Sequence, residues 1–245
     1  KQELSLAIDV QYLSKTRPFV SIIILNRNGR KHLEVLLTSF HRHRFYDNFE
    51  IIAVDNASTD DSVSYLESWS SEYKIHIIRN SENMSFSAAN NLGAKSAAGE
   101  FLVFLNNDTE VTDGWLDELL IAAHRACEPG AIGAKLIYPR IPEDSVNSGK
   151  SYCIQHMGIA FRDIMLENGH FIQPYNKGNG QEDLAWEAGI EECAAVTAAV
   201  LFVSKDAFDK VGGFDENYDY GYEDVDFCLK LVKSDFRNYC CKSCL

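Results

Sequence analysis

The stretch Glu100-Phe-Leu-Val-Phe-Leu-Asn-Asn-Asp-Thr-Glu-Val-Thr112 decides the fold. Its five consecutive apolar residues, 101–105, predict a strand that is buried on both faces of a sheet. The apolar run ends at Asn106-Asn107-Asp108, and ligands bind at the carboxyl ends of strands in open α/β sheets. Asp108 is therefore a candidate ligand for a metal or a phosphate group, although a polar turn before the next helix uses the same residue types.

Upstream of this stretch, strand and helix patterns alternate with short connections. Apolar runs at 19–25, 49–54 and 75–78 predict three more strands, each followed by a helical pattern. We expect the second of these helices to be capped by Ser58 or Thr59 and the third to be closed by Gly99. This alternation predicts parallel pairing with right-handed crossovers, and therefore an α/β fold with a mostly parallel central sheet flanked by helices.

The second half of the chain is less regular. Strands are predicted at 131–138, 153–161 and 194–203, and helices end near Val211 and Val232. Residues 162–190 are rich in Gly, Asn and acids and are expected to form a long irregular loop. We predict a tail or linker at 1–17 and one domain at 18–245, divided into a donor half (18–130) and an acceptor half (131–245). Both ends look excised from a longer chain.

Composition excludes several classes of protein. The 245 residues are 46% hydrophobic, which is enough for a sizeable core, and the net charge of −13 argues against nucleic acid as a partner. Seven scattered cysteines favour a reducing compartment. No apolar run approaches the roughly 20 residues that span a bilayer. These features predict a cytoplasmic protein, with peripheral association at the inner face of a membrane left open.

Acidic residues recur where strands end and helices begin. Asp55 follows the second strand and Asp108 the fourth, so both are expected on the same edge of a parallel sheet. Glu223-Asp224 opens a helix, where negative charge is also favourable for purely structural reasons. Asp55 is equally suited to a turn. A common crevice for these carboxylates is the hypothesis that gives them a function.

Five segments, in order, carry a resemblance to a known family. The segments are VSIIILNRNG (20–29), FEIIAVDNASTDDS (49–62), NMSFSAANNLGAKSAAGEFLVFLNNDTEV (83–111), GGFDENY (212–218) and YEDVDFCLKL (222–231). Through them the chain resembles the family 2 glycosyltransferases of the GT-A fold, and in particular their bacterial rhamnosyltransferase-like branch. The resemblance implies an inverting enzyme that moves a sugar from a nucleotide diphosphate, such as dTDP-rhamnose or a UDP-sugar, to a glycan or glycolipid acceptor of surface polysaccharide.

The resemblance also implies which residues bind the donor. The acid-any-acid metal motif of the family falls on residues 106–108, where Asn106 replaces the first acid and Asp108 supplies the single carboxylate for Mg²⁺ or Mn²⁺. Asp55 is expected to accept a hydrogen bond from the pyrimidine N–H. Arg27 stands where an aromatic residue is usual and either stacks on the base or is a solvated charge. The full set of expected donor-site residues is Leu25, Asn26, Arg27, Asp55, Asn83, Asn90, Asn106, Asn107 and Asp108.

Catalysis needs a base that takes the proton of the acceptor hydroxyl. By resemblance, Asp224 is the first choice and Glu223 the second, because a carboxylate can take that proton as the new bond forms. His156 and His170 match positions often seen in this branch and are candidates for the acceptor side, together with Trp186 in the irregular loop, although a lone His is more often a packed or surface residue. Trp186 could offer a ring face to a sugar.

Two other readings remain. A sugar nucleotidyltransferase would need a Gly-rich phosphate loop after the first strand, which Asn26-Arg27-Asn28-Gly29 does not supply. A degenerate transferase domain, kept as a glycan-binding or scaffolding module of a longer protein, is favoured by the missing first metal acid. Metal-dependent nucleotide binding would distinguish the enzyme from the scaffold.

Overall fold

The computed structural model describes residue 9 and the ranges 11–43, 45–139, 153–166, 169–183, 189–218 and 221–244. Its first half alternates strand and helix as predicted. The elements are β1 (Val20–Asn26), α1 (Arg30–Arg42), β2 (Phe49–Asp55), α2 (Ser62–Ser68), β3 (Ile75–Arg79), α3 (Phe86–Ser96), β4 (Phe101–Asn106) and α4 (Trp115–Arg125).

The second half contributes more strands and two helices. They are β5 (Pro129–Ala134), β6 (Leu136–Ile137), β7 (Ile154–His156), β8 (Ile159–Leu166), β9 (Gly169–Asn176), β10 (Ile190–Cys193), β11 (Val200–Ser204), α5 (Lys205–Val211), α6 (Glu223–Lys233) and β12 (Arg237–Cys241). A helical segment also covers residues 11–16, within the predicted tail.

In the described part of the chain, one eight-stranded sheet in the order β10-β12-β5-β11-β4-β1-β2-β3 runs through both predicted halves. The strands β4, β1, β2 and β3 are parallel, as predicted from the alternation. β11 runs antiparallel to both β4 and β5, so the complete sheet is mixed. Because β11 is reversed, its first residues lie at the same edge as the last residues of β4.

Helices cover both faces of this sheet. Alternate residues of β1 point to opposite sides, so that Ile22 and Ile24 pack in one core cluster and Ile23 in another. Helices α1, α2 and α4 cover the first face, and α3, α5 and α6 cover the second. Each fully buried Leu, Ile or Phe side chain contributes about 1.5–3 kcal/mol to these cores.

Four sequence predictions of local structure are wrong, and one of them is the closure of α3 by Gly99, because the helix ends at Ser96 with Ala97 as its C-cap. Residues 162–176, expected to be irregular, belong to the antiparallel pair β8–β9, which forms a sheet of its own. The strand predicted at 194–203 is shortened to β11, because residues 194–199 form an irregular segment beside α6. Helix α2 begins at Ser62 after Asp61, since the Ser58 hydroxyl is engaged by the loop after β1.

Candidate active site

Three strand ends are joined by hydrogen bonds at one edge of the sheet. Asn26 Nδ2 at the end of β1 donates to Asp55 Oδ1 at the end of β2, at 3.4 Å. Asn107 Nδ2, just after β4, donates to Asn26 Oδ1 at 2.8 Å. Asn26 and Asp55 are only 1% and 3% exposed. The edge predicted from parallel pairing therefore exists, and it joins Asn26, Asp55 and Asn107 directly.

The loops that follow β1 and β2 are held together by Ser58. Its hydroxyl accepts hydrogen bonds from the backbone N–H of Asn28 and from Asn26 Nδ2, while its own N–H donates to Asp55 Oδ2. Asn28 and Ala57 adopt left-handed backbone conformations with φ of 50° and 60°. Such conformations are uncommon for residues other than glycine and concentrate at functional sites.

Gly29 packs directly against the side chains of Asn26 and Asn107 at this edge. A Cβ on Gly29 would collide with Asn107 Nδ2 and Asn26 Oδ1, the two atoms of the hydrogen bond that joins β1 to β4. A glycine is therefore required where the chain turns from β1 into α1. The sequence contains this signal as Asn28-Gly29, but its partners across the sheet become visible only in the structure.

Sequence reasoning missed Asn56, which directly follows β2 and is hydrogen-bonded to the loop after β3. Its buried side chain donates to Asn83 Oδ1 and to the carbonyl of Met84. Its Oδ1 accepts from Asn80 Nδ2 and from the Met84 N–H. Asn56 thus fixes the loop that leads from β3 to α3, including the predicted donor residue Asn83. Its place directly after Asp55 at a strand end was the available clue.

The other predicted donor residues differ in accessibility. Arg27, Asn83 and Asp108 are exposed, whereas Leu25, Asn106 and Asn107 are partly buried. Asn90 is only 2% exposed, and its Nδ2 donates to the carbonyl of Phe86 within α3. The Asn90 side chain therefore lies within the fold, one helical turn below the start of α3.

Asp224, in the first turn of α6, is hydrogen-bonded to the segment that precedes β11. Its Oδ2 accepts from the Ala198 N–H at 3.1 Å, and the neighbouring Ala199 carbonyl accepts from the Asn106 N–H at 2.9 Å. Two backbone contacts thus connect the predicted base to the end of β4. No pattern in the sequence indicates that residues 197–199 make this connection.

Burial controls the protonation of the two acids. Burial raises the pKa of Asp224 above its usual value, while hydrogen bonds from Ala198, Val225 and Thr197 oppose that rise. Burial also raises the pKa of Glu223, and the adjacent Asp224 adds to the effect. A carboxylate with a raised pKa is a stronger base at neutral pH than a solvated one.

Neither of the two histidines predicted for the acceptor side is among the residues that line the cleft beside Asp224. His156 is 1% exposed, with Nδ1 2.9 Å from Asn176 Oδ1 and Nε2 accepting from the Gly158 N–H. Burial lowers its pKa to about 4, so the ring is neutral and sits behind the cleft wall. His170 is exposed on β9 beside Asp163, and Trp186 lies outside the described residues.

Asp108 is the only acid of the metal motif, and it is exposed after β4. Within the described ranges, no group of three or more His, Cys, Asp and Glu side chains could hold a metal ion. This donor set fits a hard cation that shares its coordination shell with diphosphate oxygens and water, as Mg²⁺ commonly does.

Among the described residues, no helix is both long and apolar enough to cross a bilayer.

Comparison with protein families gives two consecutive matches. A family model described as glycosyl transferase family 2 matches residues 21–179, which is more than half of the chain. A model described as the N-terminal domain of galactosyltransferase matches residues 182–242.

Two bacterial relatives are each 31% identical to this chain. One is an uncharacterized protein of Sinorhizobium fredii, aligned over 226 residues, and the other is the O-antigen biosynthesis protein RfbC of Myxococcus xanthus, aligned over 233 residues. The alignments cover 90% and 94% of this chain but only 23% and 17% of the relatives. The chain therefore spans less than a quarter of the length of either relative.

Solved structures agree on the architecture. GalNAc-T7 with UDP, GalNAc and Mn²⁺ superposes with a TM-score of 0.66 at 16% identity, covering 92% of this chain and 43% of that chain. TarS of S. aureus in complex with UDP-GlcNAc gives 0.61 at 18% identity, covering 91% and 56%. These similarities confirm the predicted GT-A fold. With the family match over residues 21–179, they lead to one conclusion: the chain belongs to glycosyltransferase family 2.

Proposed function

We propose that this chain transfers a sugar from a nucleotide diphosphate donor to a hydroxyl group of a glycan or glycolipid, with inversion at the anomeric carbon. The observation that carries the proposal is the placement of Asp224, which Ala198 and Ala199 connect to the end of β4. A candidate base thus lies next to the strand end that leads into Asp108. Inversion requires a base on the side of the acceptor, and Asp224 suits this role.

The donor is held, in this proposal, by the edge that Asn26, Asp55 and Asn107 form. Asp55 Oδ1 and Oδ2 each accept one hydrogen bond within the protein, and a carboxylate retains further acceptor capacity for the N–H of a pyrimidine base. We favour UDP-sugars or dTDP-rhamnose as donors. Structures of the same fold were solved with UDP, UDP-GlcNAc and GDP-mannose, which supports a nucleotide diphosphate sugar as the donor.

Asp108 would hold a Mg²⁺ or Mn²⁺ ion together with the diphosphate. When bound, the cation would act as a Lewis acid that neutralises the leaving diphosphate. Two similar structures contain Mn²⁺, which supports the use of a divalent metal. The protein side chains contribute orientation of the nucleotide at the donor edge and proton acceptance at Asp224.

The biological setting proposed is the synthesis of bacterial surface polysaccharide. The relative RfbC of Myxococcus xanthus is named for O-antigen biosynthesis. We place the enzyme in the cytoplasm, at the inner face of the membrane, where nucleotide sugars are made and lipid-linked acceptors are reached. In a longer protein, other domains would accompany this one, which we take to span residues 18–245.

Substitution of the proposed base tests the reaction. We expect Asp224→Asn to lower sugar transfer from UDP-glucose, UDP-GlcNAc or dTDP-rhamnose by about 10²–10⁴-fold, since that is the usual contribution of a positioned base. Calorimetric titration with UDP and Mn²⁺ should show that nucleotide affinity is retained. Release of nucleoside diphosphate, measured by chromatography, gives the rate.

Asp226→Asn is the matched control, because Asp226 lies on the same helix and pairs with Lys230. This variant should keep wild-type turnover. Unchanged turnover in Asp224→Asn would remove Asp224 from the role of base. Absence of UDP binding at millimolar nucleotide with Mn²⁺ would instead support the scaffold alternative, which the single acid in the metal motif favours.

A further inference from the structure

A cleft of about 230 Å³ opens beside Asp224, on the side of α6 and the β8–β9 hairpin. It is lined by Ile159, Pro174, Tyr175, Asn176, Thr197, Tyr222, Asp224 and Val225. None of the residues that form the donor edge belongs to this lining. The volume is below the roughly 300–1,000 Å³ of most drug-sized ligand pockets, so the cleft suits a ligand about the size of one sugar ring.

Tyr222 forms one wall of the cleft in an unfavourable backbone conformation. Its φ is 69°, in the left-handed region, and it directly precedes the first residue of α6. The side chain is nevertheless 58% exposed, so it gains little from burial in the core. Backbone strain that the packing does not explain is typical of residues that contact ligands.

Tyr175 on β9 also lines the cleft. It is 41% exposed and stands opposite Ala160 on β8. The guanidinium of Arg162 lies over its ring, 5.5 Å from the centroid, which restricts the movement of the ring. The next residue, Asn176, is hydrogen-bonded to the buried His156. These two contacts therefore hold Tyr175 and Asn176 in place.

The chemistry of the lining matches a pyranose. The aromatic faces of Tyr175 and Tyr222 carry negative quadrupole charge, which attracts the polarised C–H groups on one side of a sugar ring. Thr197, Asn176 and Asp224 supply polar atoms for its hydroxyl groups. A flat apolar ligand would leave these polar groups unpaired, at a cost in affinity.

We propose that Tyr175 and Tyr222 form the subsite for the terminal sugar of the acceptor, and present one of its hydroxyl groups to Asp224. This assignment rests on the proposed transferase function. The acceptor class that it names is a glycan whose terminal residue is a pyranose that contacts the aromatic rings of the cleft.

Saturation-transfer NMR tests the subsite without knowledge of the natural acceptor. The probe is a mixture of the methyl pyranosides of glucose, galactose, rhamnose and N-acetylglucosamine, added to protein with UDP and Mn²⁺. We expect saturation of the ring protons of at least one glycoside. Tyr175→Ala and Tyr222→Gly should each weaken its binding about three- to tenfold, the loss expected for one aromatic contact.

Tyr222→Gly separates binding from folding. Glycine tolerates positive φ, so this variant should melt at the same temperature as the wild type or higher while it binds the glycoside less tightly. A lower melting temperature with unchanged glycoside binding would show that Tyr222 is structural and would overturn the proposal. Tyr138→Ala is the control, because Tyr138 is also 41% exposed but lies outside the cleft.

The subsite and the transferase function fail in different ways. If UDP binds and transfer occurs, but neither tyrosine variant affects glycoside binding, the subsite is refuted and the proposed function stands. If a glycoside binds through the two tyrosines but UDP does not bind with Mn²⁺, the cleft is a sugar-binding site, and both the transferase function and the acceptor role of the cleft are refuted.

Discussion

At the scale of single residues, the burial that raises the pKa of Asp224 makes it a stronger base but also lowers the stability of the fold when the carboxyl group is ionised. Its pKa is raised chiefly by burial, so the folded protein binds a proton at this carboxyl more tightly than the unfolded chain does. The contribution of Asp224 to stability is therefore greatest at a pH below its unfolded pKa, and it is lost as the pH rises through the folded pKa. Ionised at neutral pH, Asp224 lowers the stability of the fold.

This penalty predicts the behaviour of the neutral variant. We expect Asp224→Asn to melt at a higher temperature than the wild type at neutral pH, because the amide carries no charge to desolvate. The difference should shrink as the pH falls towards the unfolded pKa of the carboxyl. Melting curves recorded by calorimetry across this range measure it. A variant that melts lower at neutral pH would mean that the hydrogen bond to Ala198 outweighs desolvation.

Gly29 should be irreplaceable for a local steric reason. In Gly29→Ala the new methyl group meets the hydrogen-bonded pair Asn26 and Asn107, and overpacking of this kind costs about 1–3 kcal/mol. We expect weaker UDP binding by calorimetry, since the pair belongs to the donor edge. Gly114→Ala is the control: Gly114 has positive φ but open space around it, so this variant should lose stability and keep its UDP affinity.

At the scale of secondary-structure elements, His156 connects three parts of the second half of the chain. It lies at the end of β7, bonds to Asn176 at the end of β9, and its Nε2 is 3.5 Å from the Thr197 N–H. Because its ring is neutral and buried, it acts as a spacer that sets the distance between the hairpin and the segment before β11. Its position explains why a histidine with acceptor-side sequence signals does not reach the cleft.

Acid should destabilise this connection. The pKa of His156 falls from 6.5 to about 4 on burial, so the unfolded chain takes up a proton first as the pH drops through this interval. The loss of stability between these two values is on the order of 3 kcal/mol. We expect His156→Gln to remove this part of the pH dependence in urea unfolding experiments. An unchanged pH dependence would place the acid sensitivity elsewhere, and His170→Gln, at an exposed position, is the control.

Sequence patterns predicted the first half of the chain closely, but only the first residues of the hairpin. The strands β1, β2, β3 and β4 are almost continuous apolar runs because they lie inside the sheet, and each was placed within one residue at either end. The hairpin has exposed apolar residues, including Met165 and Ile172, and therefore lacks the alternation of a half-buried strand. Asn168-Gly169 was an unused hairpin signal in the sequence.

The candidate site likewise contains residues whose positions the sequence predicts and residues whose positions it does not. The positions of Asp55 and Asn107 were predictable, because the carboxyl ends of parallel strands lie at one edge of the sheet. The contact between Asp224 and Ala198 was not, because it joins residues that are far from any strand pairing in the sequence. Tyr175 and Tyr222 were equally hidden, since their proximity depends on how the hairpin packs beside α6.

At the scale of the whole molecule, the net charge of −13 bears on donor binding. A nucleotide diphosphate is itself negative, so the overall field repels it. We expect EDTA to weaken UDP binding strongly in calorimetric titrations and Mn²⁺ or Mg²⁺ to restore it, because a cation at Asp108 offsets this repulsion. Asp108→Asn should reproduce the effect of EDTA. Equal UDP affinity with and without metal would contradict the proposed role of Asp108.

The two-stranded sheet of β8 and β9 shares no strand with the eight-stranded sheet. Its length and sequence can therefore change during evolution without altering the register of any strand that positions Asp55, Asp108 or Asp224. Because the hairpin is separate from the large sheet, it can be exchanged as a unit. Under the proposed function, family members that differ in the hairpin would bind different acceptors and catalyse the same reaction. Chimeras that trade residues 160–175 between family members would then swap acceptor preference as a single unit.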